Sequence, residues 1–403
     1  MVIRSINPTT EEMLAEFEEF SPEQVNAVLS KAQHAFEQWH RTSFEKRAAL
    51  MRRAVSFLRQ HKERLAGLIT AEIEKCAWTG EFYAEHAARF LADEPVVTNA
   101  RESFVAFEPL GTVLAIMPWN FPFWQVFRFA LPALMAGNTA VLKHASNVTQ
   151  CALAIEEVFQ EAGFPQGTFR TLLVASSTVD GIKDSRIAAV TLTGSEAVGS
   201  SVARTAGEAL KKSVLELGGS DPFIVLADAD LDGAVEFAVR SRFQNGGQSC
   251  ISAKRFIVVE EVAEAFEYRF AEVTSLLRVG DPTRRETQIG PMARGDLRDD
   301  LDRQVRESVQ QGARILQGGK SLGDTGYFYA PTVLVDVQPT MVAFQEETFG
   351  PIAAVVRVRD AEEAIAVANA PHMAWVATSG RAIASVASNW HAGSSRGASS
   401  STG

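Results

Sequence analysis

Apolar positions in the first part of the chain recur at helical spacing. Leu50, Ala54, Phe57, Leu58, Leu65 and Leu68 fall on one helical face, with Arg and Lys on the other. Ser21-Pro22-Glu23-Gln24 combines a capping serine, a proline at the first helical position and a glutamine at the third, which is a helix start. The first hundred residues therefore read as helical. From Val113 the spacing changes to short, mostly apolar runs: Val113–Met117, Thr139–Lys143, Thr171–Ala175, Ala188–Leu192, Ser213–Leu217, Phe223–Ala227 and Arg255–Val259. Helical patterns at Thr149–Ala162, Ser195–Leu210 and Glu261–Leu277 separate or follow them. Apolar strands alternating with helices predict an α/β fold whose parallel sheet is covered on both faces.

Two segments stand out from this pattern. Pro109–Phe127 runs 19 residues without a charge, close to the length of a membrane span. Pro118, Asn120 and Pro122 would break such a helix, so the run reads as a buried strand, a loop and a helix that opens before Arg128. Pro371–Gly403 has no Asp or Glu but eight Ser, seven Ala and four Gly. With no periodicity to bury a face, it reads as a flexible tail.

A length of 403 residues suggests two or three domains, and 46% hydrophobic with 22% charged residues is a soluble globular balance. The net charge of −10 and the lack of a basic stripe argue against binding nucleic acid or an anionic membrane. Three cysteines cannot form a disulfide framework and point to a reducing compartment, hence a cytoplasmic setting. Five glutamates within Met1–Phe20 stand where a targeting segment would carry its apolar stretch.

Chemistry is concentrated in a few places. Cys250 ends Asn245-Gly246-Gly247-Gln248-Ser249-Cys250, where two glycines let backbone amides approach a developing charge. A cysteine taken alone is more often a packing residue, and Cys76 and Cys151, on amphipathic helices, read that way. Glu216, a lone carboxylate in an apolar strand ending in Gly218-Gly219, is either a paired structural charge or a base raised by desolvation. Asn120, between Pro118 and Pro122, is either a turn former or a rigid oxyanion donor. Thr193-Gly194-Ser195 follows a strand and opens a helix, a geometry suited to phosphate, although it lacks two glycines of the usual dinucleotide fingerprint. The seven histidines show no metal-ligand spacing, so no metal is expected.

Together these residues resemble the aldehyde dehydrogenase superfamily from about Ile6 to Ala370. The motifs that carry the resemblance are Pro118–Pro122, Thr193–Ser195, Glu216-Leu217-Gly218-Gly219, Gly247–Cys250 and Glu346-Glu347-Thr348-Phe349-Gly350-Pro351, in the family's order and spacing. Lys143-His144-Ala145 and Leu215–Val225 look most like the bacterial succinate-semialdehyde dehydrogenases.

The resemblance implies that Cys250 is the nucleophile, Asn120 an oxyanion donor and Glu216 the base that activates water. It places Ile116, Trp119, Lys143, Ser146, Gly194, Ser195, Leu217, Glu347 and Phe349 beside an NAD or NADP cofactor. Arg128 is placed where it would meet a substrate carboxylate. Where NAD-preferring members carry Glu three residues after the lysine, this chain has Ser146, so NADP becomes acceptable. The expected domains are a helical and cofactor-binding region over 1–216, a catalytic domain over 217–370 and a tail over 371–403. The expected partner is a small aldehyde, an acidic semialdehyde first and a neutral aldehyde second, and family members form homo-oligomers. About ten residues of the family pattern are missing between Thr70 and Ala71, and the family's closing strands are missing after Ala370. A chain of low solubility and little turnover, or a remnant that binds only cofactor, is the expectation from those departures.

Overall fold

Alternating burial along Val2–Ile6, with Ile3 and Ser5 inside, makes the chain begin with a strand rather than a helix. Strand β1 (Val2–Ile6) pairs antiparallel with β2 (Met13–Glu18). Helices α1 (Pro22–Trp39), α2 (Phe44–Gln60), α3 (Lys62–Ala66) and α4 (Ile73–Phe90) follow, and then a two-residue pair, β3 (Glu94–Pro95) with β4 (Phe104–Val105). The first hundred residues are thus helical only between strand pairs, which are too short for an alternating pattern to show in the sequence. Ser21 caps α1 through a capping box, its side chain accepting from Gln24 N–H while Gln24 accepts from Ser21 N–H.

The computed structural model describes residues 2–66, 72–174, 178–370, 376–380 and 398–402. The expected gap between Thr70 and Ala71 lies outside them. The chain divides into two units, Met1–Ile6 with Met13–Leu217, and Asn7–Glu12 with Gly218–Gly403. Among the described residues no helix is long and apolar enough to cross a membrane.

The first unit is built on a parallel sheet of β5 (Thr112–Met117), β6 (Thr139–His144), β7 (Phe169–Thr171), β8 (Ile187–Thr193) and β9 (Lys212–Glu216). Its order, β7-β6-β5-β8-β9, puts β5 in the centre and β9 at an edge. Helices α5 (Pro122–Met135), α6 (Thr149–Glu161) and α7 (Glu196–Glu208) lie between the strands in sequence. The uncharged run therefore folds as β5, a loop and α5. Strand β7 starts two residues before the expected Thr171 and stops there; beyond it Leu173 C=O accepts from Phe20 N–H at 2.7 Å, and Ala175 lies outside the described residues. Trp39, Phe123, Phe127 and Phe159 fill the largest apolar cluster of this unit.

In the second unit, β10 (Asp221–Val225), α8 (Leu231–Phe243), β11 (Ala253–Val259) and α9 (Glu260–Ser275) form the first βαβα run. Next come α10 (Gly295–Gln310), β12 (Arg314–Gln317), β13 (Ser321–Leu322), β14 (Phe328–Tyr329) and β15 (Thr332–Val335). The last elements are α11 (Val342–Gln345), β16 (Ile352–Val358), α12 (Ala361–Asn369), β17 (Val376–Gly380) and β18 (Ala398–Thr402). Seven strands order as β12-β15-β16-β11-β10-β17-β18, parallel except for β12. All seven residues of β11 are buried, and Phe256 and Phe270 meet at 4.8 Å between ring centroids.

The serine-rich end was expected to lack regular structure. Ten of its residues are instead strand, β17 pairing with β10 and β18 with β17. The edge of β10 offers a row of backbone donors and acceptors, and backbone pairing there needs no side-chain pattern, which is why composition does not reveal it. The rest of 371–403 lies outside the described residues.

Candidate active site

The first unit gathers its candidate residues at the C-terminal ends of parallel strands, where α/β sheets bind ligands. Strand β5 delivers Ile116, then the loop holding Trp119 and half-buried Asn120, then α5. Two buried groups hold that loop. His144, the last residue of β6, bridges its ends: Nε2 lies 3.0 Å from Pro122 C=O, and Nδ1 accepts from Ala145 N–H at 3.0 Å and lies 3.2 Å from Met117 C=O. Nε2 then carries the proton and Nδ1 the lone pair. Burial pushes the imidazole down to about 4, so it is neutral at pH 7. Glu72 accepts from Trp124 N–H at 2.6 Å, in the first turn of α5. Its carboxyl is pushed up to about 7 by burial, against the backbone amides of Trp124 and Phe123 and the charge of Lys75. The sequence assigned neither group this role, since both act through backbone atoms that only the fold brings near.

Glu216 ends the edge strand β9 beside Thr193 of β8, and Gly194 N–H donates to Glu216 C=O at 3.0 Å. The carboxylate is 38% exposed. Its Oε2 lies 3.5 Å from Arg128 Nη2, which is also 3.5 Å from Thr193 Oγ1. Arg128 thus faces Glu216 from α5 instead of reaching for open solvent.

Three features of this unit suit an anionic dinucleotide. Lys143, half-buried near the end of β6, is in no ion pair among the described residues, and burial lowers it from the usual lysine range. Ser195 sits at the N-terminus of α7 without a side-chain cap, leaving that helix end open to an anion. Ser146 is exposed, three residues after Lys143, in a short 3₁₀ turn. Ile116 and Leu217 are half-buried against the apolar cluster beneath this face, and Gly199 leaves room for Leu217.

In the second unit, the turn before Cys250 has left-handed backbone at Asn245, Gly246 and Gly247. A side chain at Gly247 would collide with Gly350 C=O, so the Gly247–Cys250 and Glu346–Pro351 motifs touch through a required glycine. Arg242, fully buried at the end of α8, donates to Thr348 C=O at 2.7 Å, to Gly350 C=O and to Ala253 C=O. Desolvation pushes its guanidinium down to about 9, with Glu347 opposing. Gln248 accepts from Ala293 N–H at 2.9 Å and is itself buried. Glu347 accepts from Gly219 N–H at 3.2 Å and lies against Gly218, while Phe349 is half-buried two residues on.

Cys250 is partly exposed, whereas Cys76 and Cys151 are buried. Burial pushes the Cys76 thiol well up and the Cys151 thiol up to about 12, so both are held as unreactive thiols. Among the described residues no group of three or more His, Cys, Asp or Glu converges as a metal site.

The profile of the aldehyde dehydrogenase family matches residues 1–395. The chain is 50% identical over 381 residues to a Synechocystis protein named "Probable succinate-semialdehyde dehydrogenase [NADP(+)]", covering 92% of this chain and 84% of that one. It is 47% identical to a succinate semialdehyde dehydrogenase of Escherichia coli described as NAD(P)+-dependent, covering 91% and 82%. Among solved structures, succinic semialdehyde dehydrogenase of Streptococcus pyogenes with NADP+ superposes with a TM-score of 0.96 at 32% identity, covering 99% of this chain and 90% of that one.

Proposed function

Because the chain belongs to the aldehyde dehydrogenase family, we propose that it oxidises succinate semialdehyde to succinate, with NADP or NAD as hydride acceptor. The observation that carries the substrate is Arg128, a guanidinium beside the Glu216 carboxylate, where a fork of N–H donors suits a second, substrate carboxylate. The names of the relatives agree with this reading.

In this reading the Cys250 thiolate attacks the aldehyde carbon and forms a C–S bond. The Asn120 amide and the Cys250 backbone N–H stabilise the oxyanion, neutral donors that need no proton transfer. NADP or NAD, when bound, would supply the two-electron acceptor for the hydride that the thiohemiacetal carbon loses as its oxyanion closes to the thioester carbonyl. Glu216 takes a proton from water, the hydroxide adds to the thioester carbon, and the C–S bond breaks to return the thiolate and release the acid. Lys143, Ser146, Gly194 and Ser195 would hold the adenosine and pyrophosphate portion, with Ile116, Trp119 and Leu217 lining that cleft. Glu347 and Phe349 would orient the nicotinamide ribose and ring. The absence of a Glu at position 146 makes NADP acceptable, and a reducing, cytoplasmic setting keeps the nucleophile as a thiol.

A spectrophotometric assay of the full chain with succinate semialdehyde and with butyraldehyde, under NADP and NAD, tests the reading. Faster turnover of the acidic aldehyde, abolished in Cys250→Ala, is expected. Preference for the neutral aldehyde would overturn the substrate, and turnover surviving in Cys250→Ala would overturn the mechanism.

A further inference from the structure

Lys254, the second residue of β11, is fully buried, and a buried ammonium persists only where the surroundings supply acceptors and charge. Its Nζ donates to the carbonyls of Cys250 at 2.8 Å, Ser249 at 3.1 Å and Ser252 at 3.4 Å, so three acceptors come from the turn that carries the nucleophile. A fourth, Glu347 Oε1, lies 3.4 Å away, and the same oxygen accepts from Gly219 N–H. Nothing in the Ala-Lys-Arg-Phe sequence separates this lysine from a surface charge.

We propose that Lys254 is a positioning residue: its ammonium ties the Cys250 turn to the Glu347 carboxylate, and the balance between these two charges sets how readily the Cys250 thiol ionises. The inference rests on Cys250 being the nucleophile. An ammonium bonded to the cysteine's own carbonyl places a positive charge within a few bonds of the sulfur, which favours thiolate. Glu347 offsets that charge from the other side, its carboxylate held by Gly219 N–H. The other groups facing Lys254 are Arg242 and Asp221. Burial lowers Lys254 from the usual lysine range and Arg242 adds to that, while Glu347, Asp221 and Cys250 draw it back up.

The two ends of the pair have opposite effects on the thiol, and a merely structural role would not reproduce that. The experiment is the pH profile of iodoacetamide alkylation of the full chain without cofactor, read at the Cys250 peptide by mass spectrometry. In Lys254→Gln, whose amide can still donate to the turn, the alkylation midpoint should rise by about one pH unit. In Glu347→Gln it should fall. Unchanged midpoints, or movement in the same direction, overturn the proposal. If Lys254→Gln does not fold, Glu347→Gln decides alone: a fall supports the pairing, and no change or a rise overturns it. Alkylation is read on the thiol itself, so these outcomes stand apart from the functional reading, which fails instead if Cys250→Ala still oxidises aldehyde.

Discussion

Arg128 Nη2 stands 3.5 Å from Glu216 Oε2 and 3.5 Å from Thr193 Oγ1, linking the first helix after the Asn120 loop to the ends of two neighbouring strands. Both charged side chains are more than a third exposed, so the pair itself adds little to stability. In the proposed reading the pair serves to orient the guanidinium for a substrate carboxylate. That carboxylate would share the guanidinium with Glu216, the group proposed to activate water.

Replacing Arg128 should therefore separate acidic from neutral substrates. Arg128→Ala should lose about ten- to a hundred-fold in kcat/KM for succinate semialdehyde, equivalent to about 1–3 kcal/mol for a hydrogen bond to a charged group. Butyraldehyde should lose much less. Steady-state kinetics with both aldehydes checks this, and equal losses would assign Arg128 a structural role.

Much of the fold was legible because strands buried on both faces leave continuous apolar runs. Val113–Met117 lies within β5 and Ala188–Leu192 within β8, nearly residue for residue. The short pairs β1–β2 and β3–β4 were not legible, since two to six residues hold too few periods. Of the site, the sequence shows residues with chemistry in a motif, such as Cys250 and Glu216. It hides residues whose role is to bond a backbone carbonyl or amide: His144 on Pro122 and Ala145, Glu72 on Trp124, and Lys254 on Cys250. Any position can supply a carbonyl, so those partnerships carry no residue signature.

Cofactor choice should turn on position 146. Ser146 is exposed three residues beyond Lys143, and a carboxylate there would repel a 2′-phosphate while leaving a ribose hydroxyl untouched. Ser146→Glu should raise the KM for NADP by an order of magnitude or more and change that for NAD little. Similar shifts for both cofactors in initial-rate measurements would refute this role.

His144 predicts an acid limb of stability. Its folded value of about 4 lies below the ordinary 6.5, so the unfolded chain takes up a proton at this site first as pH falls. Stability from this group is present above pH 6.5 and is lost as pH drops towards 4, by about 3 kcal/mol on the scale of 1.4 kcal/mol per unit. His144→Gln, with an amide that does not titrate, should be less stable at pH 7.5 but should show a flatter melting temperature between pH 6.5 and 4.5. Parallel curves for the two proteins would show that His144 is not the group responsible.

Glu72 predicts the opposite limb. Its carboxyl is pushed up to about 7 from the usual 4.5, so the folded chain holds the proton more tightly than the unfolded chain does. Its contribution is full below pH 4.5 and is lost as pH rises through 7, again about 3 kcal/mol at most. The carboxylate that remains at high pH is buried, and Lys75, the cation that acts on it, is engaged with the ring of Trp124 at 3.8 Å. Glu72→Gln retains an oxygen to accept from Trp124 N–H and cannot ionise. It should match the parent protein at pH 5 and melt at a higher temperature at pH 8.5. Because the same oxygen caps the helix that follows the Asn120 loop, kcat of Glu72→Gln should vary less than that of the parent between pH 6 and 8. Melting temperatures that fall by the same amount at both pH values would mean that the carboxylate is needed in its ionised form, and that the interior solvates it better than its burial implies.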